Sequence, residues 1–182
     1  MKCDIHLRAY IILAAFLVVA SADTLSEQVV ETTVCGVAGG PLSYNGKMVH
    51  IRGRVENSDH DLLLSSETCK REKVVLEYPD RLSVKPTADF RLRRDRNFKR
   101  LEHVLGAKNK DGSYRFEVDA TFTGRLDATE SAGFVRNESG KIIGLQGFGH
   151  PFPFSRFRLV IESVSDVVAR KLPRPGSASA QK

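Results

Sequence analysis

The sequence contains no tryptophan, four tyrosines and three cysteines in 182 residues. Three cysteines are too few for a small domain built on a disulfide framework. No Cys-x-x-Cys pair and no His-x-x-x-His pair occurs, so the familiar spacings of zinc sites are missing. There is no collagen-like period, no heptad run and no internal repeat. Only one long apolar stretch occurs, at residues 9–20. Hydrophobic residues make up 41% of the chain and aromatics 8%, enough to build a core, so wholesale disorder is excluded. The length fits one domain. Lys and Arg number 28 against 22 Asp and Glu, a net charge of +6 with a pI near 9.4. Charge of one sign attracts partners but specifies neither fold nor ligand.

Residues 1–22 read as a secretory signal peptide. Lys2 and Arg8 form a positive start, residues 9–20 an apolar run, and Ala20-Ser21-Ala22 a small-x-small cleavage site. The run is shorter than the roughly 20 apolar residues of a membrane-spanning helix. The mature chain then begins at Asp23. Cys3 precedes the apolar run and Asp23 follows the cleavage site, so a lipoprotein anchor is disfavoured. Loss of Lys2, Arg8 and Asp4 leaves 26 basic and 21 acidic residues, a charge of +5. It also leaves two cysteines, Cys35 and Cys69. Export, periplasmic or extracellular, is to an oxidising compartment, which favours a disulfide between them. A reactive thiol and half of a metal site are the competing readings. A thiol nucleophile needs a base or helix N-terminus beside it, and neither cysteine has a histidine within a few positions.

The domain is expected over 23–171, with a disordered tail over 172–182. Val30, Val34, Val37 and Ala38 fit one face of a first helix, with Ser26 as its N-cap and Gly39-Gly40-Pro41 as its stop. Asn45-Gly46 marks a turn. Met48 to Glu56 alternates as a half-buried strand, and Gly53 within it predicts a bulge or sharp coil. Asp61 to Ser65 and Val74 to Tyr78 read as two further strands, with Cys69 in the loop between them. Phe98, Leu101 and Leu105 mark an amphipathic helix over about 94–105. Ser113 to Arg125 is the clearest strand. Residues 126–141 read as a loop, and 142–145 as a short apolar stretch. Residues 147–154 form a loop punctuated by Gly, Pro and Phe. A last strand, Phe157 to Val168, changes phase after Ile161, which implies a bend.

Five strands with a helix between the third and fourth is the connectivity of an OB-fold barrel. The fold class is therefore mainly β: a five-stranded OB-fold-like barrel with an N-terminal helix and a second helix between strands 3 and 4. Tyr44 to Val55 (YNGKMVHIRGRV) resembles the first strand of exported bacterial OB-fold-like proteins. The ordered set of a cysteine-bearing helix, this strand, a second cysteine before LEY, and Gly-x-Gly-His ahead of LVIESVSDV is similar to a family of uncharacterised exported bacterial proteins. That resemblance implies fold and export, and it brings no catalytic residues.

No biochemical activity is legible in the sequence. The expected function is a non-enzymatic binding or interaction module with no cofactor and no metal. Its ligand is an anionic polymer, a membrane surface or an envelope protein. Residues 85–110 hold nine basic and three acidic residues, so this segment's +6 exceeds the whole mature chain's charge. The candidate binding residues are Arg93, Arg94, Arg96 and Arg100, with Arg52 and Arg54 on the outward face of the first strand. A nucleic-acid groove is the first alternative. It is disfavoured because Tyr114, Phe116 and Phe122 alternate toward the core instead of forming a stacking platform. A hydrolase using His150 is the second alternative, but the sequence shows no acid or nucleophile to pair with it. Asp59-His60-Asp61 reads as a polar turn before it reads as a metal site. Phe148, Phe152, Phe154 and Phe157 read as lids on a barrel end, and an exposed cluster there would mark a partner site. Asn137-Glu138-Ser139 is a glycosylation sequon, meaningful only in a eukaryotic secretory pathway.

Overall fold

A computed structural model describes residues 28–58, 60–82 and 90–173. The signal-peptide segment, the Ser26 cap and residues 174–182 of the tail lie outside them. The first described element is a strand, β1 (Val30–Thr33), where a helix was expected. Its β-branched residues Val30, Thr32 and Thr33 favour extended backbone, and parallel pairing with the next strand adds to that. Helix α1 (Val34–Gly39) begins only afterwards, with the Thr33 hydroxyl accepting from the Gly36 amide. A second single turn, α2 (Pro41–Tyr44), leads to the Asn45-Gly46 turn, where Gly46 takes φ of 76°.

The barrel strands follow: β2 (Met48–Asn57), β3 (Leu62–Ser65) and β4 (Lys73–Glu77). A 3-10 turn at Pro79–Arg81 and helix α3 (Arg96–Gly106) connect β4 to β5 (Phe116–Ala128). A separate hairpin, β6 (Gly133–Arg136) and β7 (Ile142–Gln146), interrupts the path to β8 (Phe157–Lys171). Strands β2, β3, β4, β8 and β5 pair in that order, and β5 returns to β2 to close a five-stranded barrel. The β4–β8 pair is parallel and the others are antiparallel. Helix α3 joins the third barrel strand to the fourth, as the OB-fold-like reading requires.

Side-chain alternation sends Val49, Ile51, Leu64, Val74, Phe122, Leu126, Phe157, Leu159 and Ile161 into one core. Phe98, Leu101 and Val104 of α3 join it from one helix face. Burial of each such side chain contributes roughly 1.5–3 kcal/mol.

Gly53 does not bulge. Its register with β5 is unbroken from Met48–Arg125 to Val55–Val118. It marks instead the point where one edge of β2 changes partner, from β1 at residues 49–52 to β3 at residues 54–57. A Cβ at Gly53 would lie 2.6 Å from the Ser65 carbonyl oxygen, so only glycine fits. The bend expected in the last strand is real: the β5–β8 register shifts at Asp119/Thr121 and Thr123/Gly124.

The β3–β4 end of the barrel carries an acid-sensitive contact. Glu56 pairs with Lys73. Burial pushes its carboxyl up, but hydrogen bonds from Lys73 and Ser65 and the charges of Lys73 and Arg54 outweigh that and hold it below its ordinary value. A depressed carboxylate stabilises the fold above the unfolded-state pKa, and that stability is lost as pH falls through the folded value. Glu56→Gln is therefore expected to flatten the decline of stability on acidification, as read by urea midpoints across the acid range.

Candidate functional site

Cys35 in α1 and Cys69 in the β3–β4 loop form a disulfide, with Cα atoms 5.5 Å apart. The bond fastens the N-terminal layer to the barrel. A thiol nucleophile at either position is thereby removed.

The basic helix forms, and its arginines divide into two groups. Arg93 and Arg94 precede α3. Arg93 pairs with Glu162 at 2.9 Å and Arg94 with Asp80 at 3.2 Å. Arg96, Lys99 and Arg100 lie on α3 itself, exposed, and make no ion pair among the described residues. Lys85 lies outside the described residues. Arg52 is exposed on β2. Arg54 is occupied: its two terminal nitrogens each reach a carboxylate at 2.7 Å, Glu67 and Glu117. The structure thus separates the two arginine sets, one on α3 and one on the β2 face, and Arg54 is held by acids instead of standing free.

OB-folds bind strands of nucleic acid or sugar on the face of their second and third strands. Here those strands are β3 and β4. Leu63 and Val75 are register partners on that face and are 5% and 3% exposed. They are buried yet stand apart from the barrel core, and residues of the segment 148–156 line the same clefts, Phe154 and Ser155 with Leu63 and His150 with Val75. The Ser155 hydroxyl donates to the Lys73 carbonyl at 2.5 Å. At the other end, His150 is held by Asp61: its amide donates to Oδ2 at 2.7 Å and Nδ1 lies 3.0 Å from Oδ1. The Asp61 side chain is 5% exposed and the His150 ring 67%. A segment that reads in sequence as a loop is therefore a strap fastened at Asp61 before β3 and at Lys73 of β4.

No known protein family, curated protein or solved structure matches this chain.

The Asp61–His150 pair escapes sequence reading because 89 positions separate its members. It supplies His150 with the acid partner that its surroundings in sequence lack. A carboxylate on Nδ1 orients the ring and leaves Nε2 facing outward. His150 and Asp61 line a cleft of 240 Å³ with His60, Glu77, Tyr78 and Arg81. A neighbouring lobe of 410 Å³ extends toward Glu102 and Gly106 at the end of α3. No group of three metal-ligating side chains occurs among the described residues. Asp59 lies outside them.

The phenylalanine cluster splits. Phe157 is fully buried in the core, and Phe148 is half-buried with the Arg158 guanidinium 4.7 Å above its ring. Phe152 and Phe154 are exposed, and Phe152 meets Phe134 of the hairpin at 6.1 Å. Phe134, Ile142, Ile143 and Leu145 are also exposed. The stretch 126–141, read as loop, in fact continues β5 to Ala128 and contains β6. The β6–β7 hairpin forms a sheet of its own, with no barrel strand paired to it among the described residues, and the small residues Ser131, Gly133, Asn137 and Gly140 in and around it mask the strand signal.

Proposed function

We propose that this chain is an exported, non-enzymatic binding module of the OB-fold type whose ligand is an anionic polymer met by α3. The first turns of α3 carry the reading. Arg96 and Lys99 lie in the first turn, where the helix dipole is positive, Arg100 follows directly, and the first turn holds no acid. Cations there are disfavoured by the dipole. Arg96 and Arg100 are also four apart, a like-charge pair that costs a few tenths of a kcal/mol. A local rule broken without a structural gain marks a surface kept for a partner. Asp95 caps the helix through the Phe98 amide but leaves the outward face cationic. Arg93 and Arg94 flank that face. Their ion pairs are exposed and weak, so a polyanion can compete for them.

The disulfide fits an oxidising compartment. A nucleic-acid reading through the strand face has less support, because Leu63 and Val75 are buried beside the strap and Arg54 is occupied by acids.

Binding to polyphosphate is the test, measured across salt concentrations. Counterion release predicts a steep linear fall of log affinity with log salt. Replacing Arg96, Lys99 and Arg100 together by Gln is expected to flatten that slope by about three, one unit per lost contact. The variant should unfold with the wild type, since all three side chains are exposed. An unchanged slope sinks the proposal.

A further inference from the structure

We infer that the 240 Å³ cleft beside the strap is a subsite for a single phosphate group, held by Arg81, His60 and His150. The inference rests on the polyanion reading for the class of ligand, but it uses none of the α3 cations, so the two can fail separately.

Charge balance inside the cleft comes first. Two carboxylates line it, Asp61 and Glu77. Asp61 is taken by His150, and Glu77 pairs with Arg158 at 3.1 Å. Arg81 makes no ion pair among the described residues. The cleft therefore offers the Arg81 guanidinium, the His60 ring and the outward Nε2 of His150, whose Nδ1 is already spent on Asp61. Glu102 borders the outer lobe, not this one.

Preorganisation comes second. The Arg81 guanidinium lies 5.2 Å from the Tyr78 ring centroid. Tyr78 meets Phe98 edge-on at 5.8 Å, and Arg94 covers Phe98 at 5.4 Å. The aromatic pair is thus capped at each end by an arginine, which fixes the Arg81 fork at little further entropic cost. The buried Asp61 does the same for the His150 ring. Burial, and then the nearby Glu102 carboxylate, push the Tyr78 phenol above its ordinary range, so it stays a neutral hydroxyl. An arginine fork pairs bidentately with carboxylate and phosphate alike; a phosphate offers further oxygens to the His60 and His150 rings that line the same cleft.

The experiment follows the ring nitrogen signals of His60 and His150 by NMR while inorganic phosphate is added at constant ionic strength, with acetate as the carboxylate arm. Both rings are expected to shift saturably with phosphate and weakly with acetate. Arg81→Gln should weaken phosphate binding roughly tenfold or more, the loss of a charge-assisted contact, and Arg81→Lys should lie between. The α3 triple variant should bind phosphate like wild type. Non-saturating shifts, equal response to both anions, or an Arg81→Gln variant with wild-type affinity would each overturn the inference. Loss of phosphate binding in the α3 variant would assign the phosphate to the helix instead.

Discussion

Replacing Cys35 and Cys69 together by serine is expected to lower the unfolding free energy by roughly 3–4 kcal/mol, the chain-entropy value for a loop of this size. The bond joins residues 34 positions apart. It also cross-links the N-terminal layer to the barrel at a point remote from the chain connection through residues 45–47. Strand β1 has four residues and, among the described residues, pairs with β2 alone, and α1 has six, so neither element is stable alone. The loss should therefore be uneven. Amide exchange is expected to rise most in residues 30–44, while the β5–β8 pair keeps its protection. Urea unfolding with and without reductant gives the size of the effect, and mass spectrometry of the unreduced protein checks the bond. Equal stability of the two forms would mean that the loop is already constrained in the unfolded chain.

Asp61→Ala is expected to cost about 3 kcal/mol locally. The change removes a buried carboxylate that accepts from both the His150 amide and the His150 ring, and each charged hydrogen bond contributes roughly 1.5–3 kcal/mol. The barrel core holds no part of this contact, so global unfolding should shift less than the strap does. Limited proteolysis should cut near residues 148–154 in the variant and spare the wild type. Asp61→Asn keeps one acceptor and should lie between the two. If the variant resists proteolysis like wild type, the Ser155 contacts alone hold the strap.

Several features were legible from residues alone. Alternation placed β2, the start of β5 and β8, because a half-buried strand repeats every two residues. The helix α3 was readable from Phe98, Leu101 and Leu105, and its cationic outer face from simple counting. The disulfide partners followed from compartment chemistry. Other features were not. Residues 30–33 fit a helical face as well as a strand, and pairing with β2 decides between them. The β6–β7 hairpin carries exposed apolar side chains without clean alternation, so pattern could not reveal it.

By itself, then, the sequence determined the five barrel strands and their order along the chain, the helix between the third and fourth of them, and the concentration of charge on that helix. These depend on local periodicity and on composition, which a chain carries at every position. Only the tertiary structure decided which arginines stay free, because ion pairs such as Arg93–Glu162 and Arg54–Glu117 join residues 69 and 63 positions apart. It alone placed the strap beside Leu63 and Val75 and brought His150 to Asp61. Those contacts arise from barrel closure, which sets distant segments side by side according to shape and leaves no periodic trace in either one.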